Sequence, residues 1–186
     1  GPVSILLQSD YRDRPELNGT GTVFTIHNLA YQGLFAPDTM MTLGLPWDLF
    51  TPSTLEFYGK VSFMKAGLVF SDRLTTVSRK YAREIQTPAF GFGLDKLLQE
   101  RGKEIRGILN GVDYRTWDPR HDPLIASNYT AEDTSGKAAC KADLQQRMHL
   151  PVRRDVPLIG CISRLTHQKG LDLFLEGAGQ LLEMDG

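Results

Sequence analysis

Residues 156–184 read VPLIGCIS, RLTHQKG and LDLFLEGAGQLLEM in succession. The first segment is a near-continuous apolar run, the composition of a strand buried on both faces of a parallel sheet. The last predicts an amphipathic helix whose buried side carries Leu171, Phe174, Leu175, Ala178, Leu181 and Leu182. Strand, loop and helix in that order form the βα half of a doubly wound sheet, so the fold class is α/β. Ligands in such sheets sit in the crevice beyond the carboxyl ends of the strands. Binding residues therefore belong just after Ser163.

Upstream the same alternation recurs. TVFTIH (22–27) follows a turn-rich stretch and predicts a buried strand with His27 at its C-terminal end. A helix is expected from about Thr54 to Phe70, then a short strand over 74–77. Ser78 caps the next helix, SRKYAREI, which the residue before Pro88 brings to a stop. The glycine-rich turn in GFGLDKLLQERG leads into a helix carrying Leu94, Leu97 and Leu98 and closing near Gly102. Ile105 to Leu109 reads as a further buried strand.

The stretch that follows is dense in Asp, Pro, Asn and aromatics without any sustained period, so residues 113–134 are read as a linker. A helical pattern resumes at Ser135, with Ala139, Leu144, Met148 and Leu150 near one face, and stops at Pro151. The organisation expected is the C-terminal part of one α/β domain over 1–112, the linker, and the start of a second α/β domain over 135–186. Gly1-Pro2 has the form of a protease scar and the chain stops abruptly at Asp185-Gly186, so both ends are expected to be cuts.

Bulk composition narrows the function classes. Hydrophobic residues make up 41% of the chain and charged residues 23%, which is enough apolar content for a core and argues against whole-chain disorder. Basic and acidic side chains number 21 and 22 and are scattered, so no positive field gathers nucleic acid or an anionic membrane surface. No apolar run approaches the roughly 20 residues of a bilayer span. Cys140 and Cys161 lie in no C-x-x-C pattern and are expected to be reduced, buried thiols.

Three predicted strand ends carry chemistry: HNLAYQG, NGVD and SRLTHQKG. Arg164 and Lys169 are five apart in a loop that opens onto a helix, so two cations stand beside free backbone N–H groups and the positive end of a helix dipole. Such a loop can hold phosphates and stabilise a departing diphosphate, or it can simply carry two solvated charges. No Walker-type loop is present, which argues against ordinary ATPase chemistry. His27 suits either a sugar contact or a strand end satisfied by its neighbours. Asn110-Gly111 reads as a tight turn, with Asp113 capping it. The stretch AYQGLFAPDTMMTLGLPWDLF, with Tyr31 as its first aromatic, fits a carbohydrate platform or the folded body of a long loop. The four histidines show no metal-ligand spacing, and no metal site is expected.

Taken together and in order, TIHNLAYQGLF, FMKAGLVFSDRLTTVSRKYAREI, GFGLDKLL, IRGILNGVDYRTWDP and IGCISRLTHQKGLDL resemble the ADP-glucose-dependent glycogen and starch synthases. That family consists of retaining glycosyltransferases built from two Rossmann-like domains in the GT-B fold. The resemblance implies a piece of such an enzyme, incomplete alone, that moves glucose from ADP-glucose to the non-reducing end of an α-1,4-glucan. It implies that Arg164 and Lys169 bind the ADP phosphates and assist their departure, and that His27 faces the transferred glucose. Asn110, Gln168 and Tyr31 are carried as substrate-binding residues. No cofactor is implied, ADP-glucose being a substrate.

The family's Lys-x-Gly-Gly donor loop, upstream acidic segment and late Glu-containing block are not found here. Their lack implies exposed sheet edges and apolar faces, so that the piece alone is expected to be unstable or self-associating. The compartment implied is bacterial cytoplasm or plastid stroma. A non-catalytic nucleotide- or glucan-binding module and a related GT-B enzyme with a small acceptor are the competing readings.

Overall fold

The computed structural model describes residues 1–183. They divide into two compact units, Gly1–Gly111 and Val112 onward.

In the first unit a three-stranded parallel sheet is ordered β1 (Val23–Ile26), β5 (Arg73–Thr76), β6 (Ile105–Gly107). Between β1 and β5 the chain makes β2 (Leu34–Phe35), the short helix α2 (Thr39–Thr42), β3 (Glu56–Phe57) and β4 (Lys60–Ser62). The three strands β2, β4 and β3 form a small antiparallel sheet. Helix α3 (Phe63–Phe70) follows, and α4 (Arg79–Glu84) and α5 (Asp95–Glu100) connect β5 to β6. The strand at 22–27 and the two that follow it in the sheet are where the apolar pattern put them, and the α/β class holds.

The core forms because α3 has two apolar faces. Met64 and Leu68, one turn apart, join Ile26, Leu74, Ile85, Leu98 and Ile105 beneath the parallel sheet. Ala66 on the other side meets Ile5, Met40, Leu45, Leu55 and Val61. Helix α1 (Pro2–Gln8), which the sequence pattern did not announce, supplies Ile5 to this second cluster. Gly67 lets α3 approach the sheet: a Cβ there would lie 2.4 Å from the Phe24 ring.

The helix expected from Thr54 begins instead at Phe63. Tyr58 and Gly59 take positive φ of 49° and 76°, turning the chain into the β3–β4 hairpin, and the Ser62 side chain caps α3 by accepting from Lys65 N. Lys65 is 8% exposed, and its Nζ donates to the carbonyls of Pro52 and Glu56, the latter at 2.7 Å. Burial lowers its pKa, with Glu56 opposing the shift.

Strand pairing is pinned at its start and its finish. Thr22 N and Oγ1 donate to Asp72 Oδ2 at 2.7 and 2.8 Å, and these bonds, the backbone one foremost, hold the Asp72 carboxyl below its ordinary range. At the other end Thr76 Oγ1 donates to Ile26 O at 2.8 Å. Ser78 caps α4 as expected, accepting from Tyr81 N, although α4 ends at Glu84, three residues short of the stop set by Pro88. Helix α5 ends at Glu100 with Arg101 as its cap, and Gly102 opens a 3-10 turn rather than closing the helix.

The second unit is built differently. It contains α6 (Lys137–Arg147) and α7 (Leu171–Glu183), and among its described residues no apolar side chain is buried. Polar ties hold it. Gln145, 5% exposed, exchanges two hydrogen bonds with the backbone of Arg153, and Lys141 Nζ donates to Arg154 O at 2.9 Å and to Val156 O. The strand expected over 156–163 is not formed: a parallel strand is stable only when neighbours accept its backbone groups, and no strand of this unit is there to do so among the described residues. The helix after it does form, but its expected buried side is open to solvent, with Leu175 72% and Leu182 87% exposed. Leu144, Met148 and Leu150 near α6 are likewise exposed, and the two thiols expected to be buried are not, Cys140 being half-buried and Cys161 exposed, because no apolar core forms around them. Met184, the last residue of the expected helix, lies outside the described residues.

Candidate active site

The sheet register levels the carboxyl ends of the three parallel strands, pairing Ile26 with Thr76 and Thr76 with Gly107. His27 leaves β1 and Asn110 follows β6 on this same side, with two interstrand spacings, roughly 10 Å, between the strands. Both residues are exposed. Asn110-Gly111 is not in a turn: the turn starts at Asp113, whose carbonyl accepts from Thr116 N and Trp117 N at 3.1 and 2.9 Å. The Asp113 carboxylate is held below its ordinary pKa range by the Arg115 side chain and then by Arg115 N.

The loop after His27 is fixed by its own residues. Asn28 Oδ1 accepts from Ala30 N at 3.0 Å, and the fully buried Leu29 sends its N–H to Tyr81 Oη at 3.0 Å. Tyr81→Phe is expected to strand that N–H, at a cost of about 1–2 kcal/mol, and to speed exchange of the Leu29 amide proton as followed by NMR. Protection equal to the parent's would show that the phenol does not hold the loop.

Gln32 is the member of this loop that sequence reasoning missed. It is 8% exposed, its Nε2 donates to Phe92 O at 2.9 Å, and its Oε1 is buried without a partner. A buried acceptor left unpaired costs about 1–3 kcal/mol. Phe92 itself takes a φ of 48°, a left-handed conformation costing a non-glycine residue roughly 1 kcal/mol. Tyr31, Gln32, Gly33, Leu34, Phe57 and Phe92, with Ala30, line an open cleft of about 820 Å³. The only signal for Gln32 was its place inside AYQG; nothing in a sequence distinguishes a buried amide from an exposed one.

Arg164, Gln168 and Lys169 belong to the second unit. Thr166 N donates to Arg164 O, Lys169 N to Thr166 O and Gly170 N to His167 O, at 2.8, 2.9 and 3.0 Å. Gly170, with φ 65°, then swings the chain into α7. Both cationic side chains are exposed in the loop that leads into a 13-residue helix, whose initial N–H groups lack intrahelical acceptors. Asp172 in that turn has a donor of its own in His167 Nδ1 at 3.0 Å. The structure thus brings His27, Tyr31 and Asn110 to one unit and Arg164, Gln168 and Lys169 to the other.

The family model described as the starch synthase catalytic domain matches residues 1–100. The chain belongs to this family. The glycogen synthase of Anaeromyxobacter sp. (strain Fw109-5) is 52% identical over 100% of the chain and 39% of its own length. That of Moorella thermoacetica is 49% identical over 100% of the chain and 38% of its own. Among solved structures, the catalytic domain of Starch Synthase IV from Arabidopsis thaliana, bound to ADP and acarbose, matches with a TM-score of 0.87 and 34% identity, covering 97% of this chain and 38% of that one. As a starch synthase catalytic domain sequence, the chain spans about two fifths of the length of these relatives.

Proposed function

We propose that the chain is a central portion of a retaining glucosyltransferase that moves glucose from ADP-glucose to the non-reducing end of an α-1,4-glucan, and that its two units are parts of the two Rossmann-like domains of that enzyme. The observation that carries this reading is the Arg164–Lys169 loop. It carries two exposed cations in the loop that leads into α7, in a chain of this family.

In this reading the bond between glucose C1 and the β-phosphate oxygen breaks with negative charge gathering on the diphosphate and positive charge on the sugar. Arg164, Lys169 and the first N–H groups of α7 receive the diphosphate charge, which fixed donors do without reorganising. His27 and Asn110, beyond the strand ends, face the sugar, and Gln168 lies between the phosphate loop and the helix. The glucan hydroxyl oxygen then bonds to C1 on the face the diphosphate leaves and passes its proton to the departing phosphate oxygen, so configuration is retained. The chain alone is expected to lengthen no glucan, because it spans only about two fifths of the relatives. Bacterial cytoplasm or plastid stroma is the compartment this reading implies.

The test is a chimera in which these 186 residues replace the matching segment of the Anaeromyxobacter enzyme. The reading expects the folded chimera to lengthen maltooligosaccharides with ADP-glucose, observed by mass spectrometry, and Arg164→Ala to suppress the products. A folded chimera without transfer, or full transfer by the Arg164→Ala variant, would overturn it.

A further inference from the structure

Strand β5 lies between β1 and β6 in the parallel sheet, so the segments that carry His27 and Asn110 are tied to each other through it. One residue makes both ties. Thr76 is 1% exposed; its Oγ1 donates to Ile26 O at 2.8 Å, and its carbonyl accepts from Ile108 N at 2.7 Å. The ladder between β1 and β5 finishes on the Ile26–Thr76 pair, so the hydroxyl acts where the backbone pairing runs out. A peptide group is planar, and a donor that fixes Ile26 O therefore also fixes the N–H of His27 and the direction in which the chain leaves the strand. The second bond fixes the Gly107–Ile108 peptide in the same way, two residues before Asn110. A β-branched side chain has few χ1 choices, and in a buried setting the bond is stronger than it would be in water.

We propose that Thr76 is a positioning residue for glucosyl transfer: buried and out of reach of either substrate, it holds the peptides that aim His27 and Asn110 at the sugar. The carbonyl tie is available to any residue at this position. The tie to the His27 peptide needs a side-chain donor of threonine's length. Without the hydroxyl, Ile26 O loses that donor, the peptide ahead of His27 gains freedom to rotate, and the imidazole moves with it. Transfer is sensitive to such movement, a displacement of about 1 Å being enough to cost up to 10²-fold in rate. The adjacent Thr75 supplies a comparison. Its Oγ1 meets Thr25 Oγ1 at 2.7 Å between the same two strands, on the opposite face of the sheet, and it makes no bond to the His27 peptide. Because His27 and Asn110 face the sugar only in the transfer reading, the proposal rests on that reading.

The experiment has two arms, kinetics of Thr76→Val, Thr76→Ser and Thr75→Val in the chimeric enzyme, and NMR relaxation of the same variants in the 186-residue chain. Thr76→Val is expected to lower kcat about tenfold with the KM for maltooligosaccharide within about twofold, while Thr76→Ser, which keeps the donor, and Thr75→Val stay within about twofold of the parent. In a His27→Ala background Thr76→Val is expected to cost nothing more, because the hydroxyl acts through His27. In the chain, the order parameter of the His27 amide is expected to fall from about 0.85 toward 0.6 in Thr76→Val alone. A Thr76→Val kcat within twofold of the parent, an equal loss in Thr75→Val, a full further loss on top of His27→Ala, an unchanged His27 order parameter, or a Thr76→Val protein that does not fold would each overturn the proposal. A folded, unmutated chimera without transfer counts against the transfer reading instead, and the relaxation arm still decides whether Thr76 holds His27.

Discussion

Replacing Lys169 by alanine in the chimeric enzyme is expected to lower kcat about 10²–10³-fold while the KM for glucan stays within about twofold, a loss of roughly 3–4 kcal/mol of transition-state stabilisation. The size follows from where the charge develops. Lys169 ends a tight loop whose path is set by three backbone hydrogen bonds and the left-handed Gly170, so the backbone that carries its cation is placed before the reaction starts. Diphosphate departure is the step that needs it; docking of a neutral glucan is not. Lys169→Arg keeps the charge but changes a compact ammonium for a planar fork, and partial recovery is the expected outcome. A kcat for Lys169→Ala within threefold of the parent would remove the residue from the mechanism.

Gly107→Ala should destabilise the first unit by about 3 kcal/mol and lower its Tm by roughly 10 °C or more. A Cβ at this position would stand 2.3 Å from Ser78 O and 2.4 Å from Arg79 N. Both are backbone atoms at the capped start of α4, and neither can rotate aside as a flexible side chain would. Strand β6 and α4 must therefore separate, and the segment leading to Asn110 moves with them. Gly111→Ala is the control: nothing lies within 4 Å of its Cβ position and its φ is not positive, so an effect below about 0.5 kcal/mol is expected. Thermal unfolding followed by circular dichroism measures both, and near-equal Tm values would show that β6 and α4 tolerate a wider spacing.

Legibility in the sequence tracked how local the deciding forces are. TVFTIH announced β1 because β-branched and aromatic residues follow a run of turn formers, and Ser78 announced α4 because its hydroxyl caps within three residues. The β3–β4 hairpin was hidden. Its turn rests on Tyr58 in a left-handed conformation, for which tyrosine gives no signal, while Val61, Met64 and Leu68 fit a helical period almost as well. Helix α1 was hidden because its evidence is the contact of Ile5 with a distant cluster. VPLIGCIS has the composition of a buried strand, but a strand is a property of at least two segments, and its unit lacks the second. For the candidate site, the cations of the 164–170 loop and the histidine after β1 were visible as residue types at strand ends. The cleft was visible only as a run of aromatics: the tie from Gln32 to Phe92 joins residues sixty apart and depends on burial that no single position reveals.

The polar construction of the second unit has a calorimetric consequence. Heat capacity rises on unfolding because apolar surface enters water, yet Ile162, Leu165, Leu173 and Leu182 are already 104%, 90%, 69% and 87% exposed in the folded chain. Nearly all of the increment must then come from residues 1–111. The whole chain should absorb about 1.5 kcal/mol/K on melting, the value of a domain of roughly 110 residues, instead of the ~2.5 kcal/mol/K that 186 residues folded throughout would give.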